Sequence, residues 1–144
     1  MGPSSSKTSV FERARQRVIQ ETIARGDSNH IRGSVHYLVA LLEAGERLDE
    51  ADQVLNRVLD AQGIQGDRHA RIYGNFKWDL DDAFWKDYNA GPFICMDLTM
   101  IARHHQEKLK PETRRRFEEA LRRALVGLQN RQATVYCLYR LVLS

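Results

Sequence analysis

Apolar residues recur along this chain at the three- and four-residue intervals of amphipathic helices, in five separate stretches. The first covers residues 10–25, where Ala14, Val18, Ile19 and Ile23 form the stripe. Ser9 and Glu12 are spaced as a capping box, and Gly26 closes the element. The second covers residues 30–44, with Ser28 or Asn29 as cap and Gly45 as stop. Its centre, Tyr37-Leu38-Val39-Ala40-Leu41-Leu42, is apolar nearly all round, which predicts burial on more than one side. The third begins near Asp49 and shows Ala51, Val54, Leu55, Val58 and Leu59 on one face only before Gln62-Gly63, so it reads as an outer helix. The fourth follows Pro92, carries Phe93, Ile94, Met96, Leu98, Met100 and Ile101, and ends in Arg103-His104-His105. The fifth opens with Pro111 at the first helical position and lines Phe117, Ala120, Leu121, Ala124, Leu125 and Leu128 along one side.

Between the third and fourth stretches, over residues 63–91, no helical period survives. A connection this long inside a compact domain is usually functional or disordered. Aromatic density argues for order: Tyr73, Phe76, Trp78, Phe84, Trp85 and Tyr88 are six of the twelve Phe, Tyr and Trp residues in the chain. Asn75, Asp79, Asp81, Asp82, Asp87 and Asn89 lie among them. Flat rings beside acids and amides suit a pocket for a polar, partly apolar ligand such as a sugar. The organisation is thus a leader over 1–8, a helical-hairpin domain over 9–131 with its aromatic loop at 63–91, and an atypical tail over 132–144. That tail, QATVYCLYRLVLS, lacks a polar loop and favours strand over helix around Val135 to Tyr139.

The order outer, inner, outer, inner, outer carries a geometric expectation. If the second and fourth helices run the same way, the segments before them emerge at one end of the assembly. Residues 26–29 and 63–91 then share one mouth, where helix dipoles and free N–H groups favour anionic or hydroxyl-rich ligands.

Length and composition narrow the rest. The 144 residues suffice for one domain, and an apolar content of 42% supports a core. A net charge of +3 does not make this a nucleic-acid binder. Glu112, Glu118 and Glu119 precede Arg116, Arg122 and Arg123 by four residues each, the orientation for pairing on a solvated helix face. Cys95 and Cys137 sit in apolar runs at no metal spacing and read as buried thiols. His104 and His105, at a helix C-terminus, read as dipole partners, since adjacent histidines on a helix point apart. No cofactor or metal is expected. No apolar run reaches membrane-spanning length, and the leader lacks a secretory core; it matches the myristoylation pattern through Gly2 and Ser6, against which Pro3 argues. The expected setting is cytoplasmic.

The run Ser28-Asn29-His30-Ile31-Arg32-Gly33-Ser34, the following Tyr37, then Gly74-Asn75-Phe76 and Asp87-Tyr88-Asn89 before a second buried helix resemble the N-terminal part of six-hairpin (α/α)6-toroid proteins. Such proteins are similar to the toroid glycoside hydrolases and polysaccharide lyases, many members having no assigned activity. The resemblance spans residues 25–131. It implies a carbohydrate-handling cleft lined by the loops before the inner helices. This chain has fewer hairpins than a closed toroid, and the tail reads unlike a continuation, so truncation or a changed reading frame after Arg131 is expected. Inner helices left without partners would expose apolar surface, which a homo-dimer would cover.

Each candidate admits a functional and a structural role. Trp78, Trp85 and Tyr88 suit stacking on sugar rings, or packing of the loop onto the helices. Asp87 is the first candidate for acid–base work, being flanked by Tyr88 and Asn89 before the fourth helix; the competing role is a cap for that helix. His30 suits a proton shuttle and Asn29 a hydroxyl reader, or a first-turn residue and a cap. Arg32, Asn75 and Asn89 complete the expected ligand-binding set. The sequence therefore predicts an all-α fold, antiparallel helix hairpins of an incomplete (α/α) toroid. Its expected activity is binding, hydrolysis or elimination of a glycan or other small polar ligand, with catalysis lost if the chain is truncated. The alternative is a non-enzymatic helical-repeat interaction module.

Overall fold

The computed structural model describes residues 9–64, 72–85, 87 and 89–130. The leader, Tyr88, Cys137 and the 132–144 tail therefore lie outside the described residues, as does part of the aromatic loop. The described residues form an all-α arrangement of five α-helices: α1 (Val10–Arg25), α2 (Ile31–Ala44), α3 (Leu48–Asp60), α4 (Ala90–His104) and α5 (Pro111–Asn130), with a short 3-10 turn (Gln106–Lys108) before α5.

Helix ends follow local chemistry. Ser9 Oγ accepts from Glu12 N at 3.0 Å, as the capping box requires. The cap of α2 is His30, whose Nδ1 accepts from Gly33 N, and neither Ser28 nor Asn29 takes that place. Ser28 supports it from outside, its Oγ accepting from His30 N at 3.2 Å. Helix α4 starts at Ala90, two residues before Pro92. A proline in the first turn removes only an N–H that has no intrahelical partner there, so it does not mark the boundary.

Helix α2 is the centre of the fold and packs against α1, α3 and α4. Ile31, Val35, Leu38, Leu41 and Leu42 are fully buried on it, in agreement with its all-round apolar pattern. Ile94, Leu98 and Ile101 of α4 and Phe117 of α5 continue the same core. On α1 only Ile19 and Ile23 are buried, and Val18 is exposed to solvent.

Side-chain partners fix the helix directions. Along α2, Arg32 stands over the Phe93 ring, His36 meets Asp97, and Glu43 meets His105, so α2 and α4 advance together and are parallel. Asp49 meets Lys110, Asp52 meets Thr113, and Asn56 meets Arg116, so α3 and α5 are parallel too. These cross-helix partners are 60 to 62 residues apart in sequence. The hairpin α2–α3 is followed by a second hairpin, α4–α5, laid beside it in the same orientation.

Charges on α5 serve this stacking more than their sequence spacing suggested. Arg116 reaches α3 and bonds Asn56 and Asp60 instead of Glu112. Arg123 does lie 3.9 Å from Glu119 but also donates to Gln62 Oε1 at 3.2 Å. Between the hairpins, buried Asp52 accepts from the Thr113 hydroxyl and from Lys110 N at 3.1 Å.

Candidate functional site

The segments before α2 and α4 meet at one end of the bundle. Ile31 N donates to Trp78 O at 2.7 Å and Leu80 N to Asn29 O at 3.0 Å, an isolated antiparallel bridge between His30 and Asp79. Asn29 Nδ2 donates to the Asp81 carboxylate. The loop thus crosses the entry to α2 and is stitched to it by backbone groups that the helix leaves free.

Trp78 organises the aromatic part. Its ring stacks on His30 at 5.7 Å with 17° between planes and tilts against Phe93 at 6.3 Å. Its Nε1 donates to Asp87 Oδ2 at 2.9 Å, while Asp87 Oδ1 accepts from Asn89 N at 2.8 Å. Arg32 lies 5.2 Å above the Phe93 ring. Phe93 and His30 are themselves open to solvent. Asn29, His30, Arg32, Trp78 and Asp87 are therefore brought into one neighbourhood.

Asn75 and Trp85 are placed differently. Asn75 is fully buried; its Oδ1 accepts from Gly91 N at 2.8 Å and its Nδ2 donates to Asp87 O at 3.0 Å. It is Asn75 that satisfies a first-turn N–H of α4, where Asp87 was the expected cap. Asp87 contributes its backbone carbonyl to Ala90 N at 3.2 Å. Trp85 Nε1 donates to Ala61 O at 3.1 Å, with Lys77 Nζ 4.8 Å above its ring. Asn89 is exposed and makes no side-chain cap bond. Tyr88 lies outside the described residues.

A second feature adjoins this end. A groove of about 400 Å³ runs along α2 between α1 and α4, with Val18, Ile19, Val39, Ala40 and Met100 as its apolar surface. Thr22, Arg25, His36, Glu43 and Asp97 supply its polar groups. Thr22, Arg25 and His36 also border a depression beside Gly26, Asp27, Ser28 and Gly33, so the groove opens toward the entry to α2. Asp97 sits 3.2 Å from His36 Nε2 and 3.9 Å from Arg32 Nε, without hydrogen-bonding geometry for either Asp97 Oδ2 or Arg32 Nε.

Glu43 closes the far end. It bonds Arg15, and its Oε1 lies 2.9 Å from His105 Nε2. Burial pushes the Glu43 carboxyl up, but the His105 hydrogen bond and the charges of His105, Arg15 and Lys108 outweigh it and hold the group below the usual carboxylate range. His105 is thus a buried partner of α2 as well as the end of α4, whereas His104 faces solvent. Among the described residues no group of three His, Cys, Asp or Glu side chains is arranged to hold a metal ion.

Sequence reasoning passed over Arg25, His36 and Asp97. The signal was present: His36 and Asp97 are charged or titratable residues in the middle of two mainly apolar helices, where polar groups need partners.

Fold and site together define a class, an all-α protein of stacked helical hairpins with a polar-aromatic end and an amphipathic groove. Compared with protein-family models, curated proteins and solved structures, the chain matches none.

Proposed function

We propose that this protein is a carbohydrate-binding helical-hairpin protein, the N-terminal part of an (α/α) toroid, which holds its ligand where the segments before α2 and α4 meet. The observation that carries this reading is the parallel course of α2 and α4, which gathers His30, Arg32, Phe93, Trp78, Asn29 and Asp81 at one end. A sugar offers an apolar ring face to an aromatic surface and hydroxyls to the carboxylate and amide groups around it. The role assigned is retention of a glycan. Each Asp87 oxygen already accepts one hydrogen bond from within the loop, which holds the carboxylate in place and leaves one further lone pair on each oxygen for acid–base work with His30 in hydrolysis or elimination.

The test is retention on a panel of immobilised oligosaccharides, with Phe93→Ala and Asp81→Asn as the variants, since both side chains are exposed. Each is expected to weaken retention by about tenfold, the effect of one lost stacking or charged contact, with an unchanged urea midpoint. If no glycan is retained, or if both variants retain it as well as the parent, the reading fails. A second reading, a non-enzymatic helical-repeat interaction module, then leads, favoured by the parallel stacking of two hairpins at a near-constant sequence offset.

A further inference from the structure

We infer that the groove between α1, α2 and α4 binds a small amphiphilic organic anion, a carboxylate on a hydrocarbon body, with its head group on Arg25. This is independent of the glycan reading, which concerns the loop end.

Charge accounting selects the head group. Asp97 is matched by Arg32 at 3.9 Å and His36 at 3.2 Å. Glu43 is matched by Arg15 and His105, with Lys108 nearby. The Arg25 side chain makes no hydrogen bond or ion pair among the described residues, so it is the groove's uncompensated charge. A guanidinium presents paired donors that fit a carboxylate bidentately, and His36 lines the same stretch of wall.

The body follows from the rest of the lining. Val18 is 59% and Met100 39% exposed, on facing sides of a floor made by Val39 and Ala40. Open apolar walls of this kind gain by covering with hydrocarbon. The volume of about 400 Å³ lies within the range of roughly 300–1,000 Å³ usual for small-molecule sites. Asp97 and Glu43 repel an anionic head farther along the groove, which sets the ligand's direction: head at Arg25, tail toward Met100.

The experiment is isothermal titration of the protein with octanoate, with octylammonium as the cationic and 1-octanol as the neutral counterpart. Methyl NMR shifts of Val18, Ile19 and Val39 locate the binding. Octanoate is expected to bind in preference to both counterparts and to move these methyls. Arg25→Gln is expected to weaken octanoate at least about tenfold while leaving 1-octanol unaffected, as for loss of a charged hydrogen-bonding partner. Met100→Glu, which sets a second acid beside the tail, is expected to abolish octanoate binding. Arg25 and Met100 are both exposed, so neither change threatens the fold. The inference is overturned if octanoate does not bind, if octylammonium or 1-octanol binds as tightly, if Arg25→Gln keeps the parent affinity, or if the shifting methyls lie elsewhere.

Discussion

Asn75 shows how much one buried amide holds in place. Its two hydrogen bonds join the aromatic loop to the first turn of α4 and to Asp87 O, the first of them buried from solvent. Asn75→Ala leaves the buried Gly91 N–H without its acceptor, while Asp87 O keeps its bond from Ala90 N, and is expected to cost about 1–3 kcal/mol in urea unfolding. Asn75→Asp keeps the acceptor for Gly91 N but sets a buried carboxylate oxygen against Asp87 O, and at neutral pH should cost at least as much as the alanine variant. Glu43 makes a prediction with a pH axis. Its folded carboxyl titrates below its unfolded value, so the stability it contributes is present above the ordinary carboxylate range and is lost as pH falls through the folded value. Glu43→Gln is therefore expected to be less stable than the parent by about 1–3 kcal/mol at neutral pH. That gap should narrow as pH falls below about 4.3, the unperturbed glutamate value. A gap that stays constant down to acid pH removes the ion-pair account.

At the scale of elements, helix existence was legible in the sequence because periodicity reports which face is buried. The limits of α1 and the start of α5 followed directly from Ser9, Gly26 and Pro111. What the sequence could not show was which polar group serves which helix. Ser28 and Asn29 were the caps that the sequence offered for α2, but Ser28 turns back onto His30 and His30 takes the role. Likewise the α4 cap comes from Asn75, far upstream, a partnership that only the fold creates. Of the candidate residues, Asn29, His30, Arg32, Trp78 and Asp87 lie near one another, while Asn75 is buried and Trp85 bonds Ala61 O. Gly74 explains how the loop is seated on α5. Its φ of +76° is in the left-handed region, and a Cβ there would strike the Arg123 carbonyl oxygen. Gly26 has the same φ of +76° but open space around it. Gly74→Ala is thus expected to destabilise by about 3 kcal/mol or more, combining backbone strain with a clash, against about 1–2 kcal/mol for Gly26→Ala. Equal effects in thermal unfolding would show that loop and α5 do not touch.

For the whole molecule, the central position of α2 sets the order in which the structure opens. It is enclosed by α1, α3 and α4, while α1 buries only Ile19 and Ile23 and α5 leaves Leu125 exposed. Hydrogen exchange should find the slowest amides in α2, with α1 and the distal half of α5 exchanging through smaller openings. Protection in α1 equal to that in α2 would contradict this. Alternation of buried and one-sided helices made such a layered arrangement readable, but the parallel register was not, because it depends on contacts between residues 60 to 62 positions apart.

That register has an evolutionary meaning. A chain whose hairpins lie side by side in one orientation can be lengthened or shortened in whole hairpins, each new unit meeting the same kind of neighbour as the last. Every added unit would also deliver its own entry loop to the same end of the bundle. The loop end and the scaffold can therefore change separately: loops drift in composition and length, while the helix faces behind them keep a common mould.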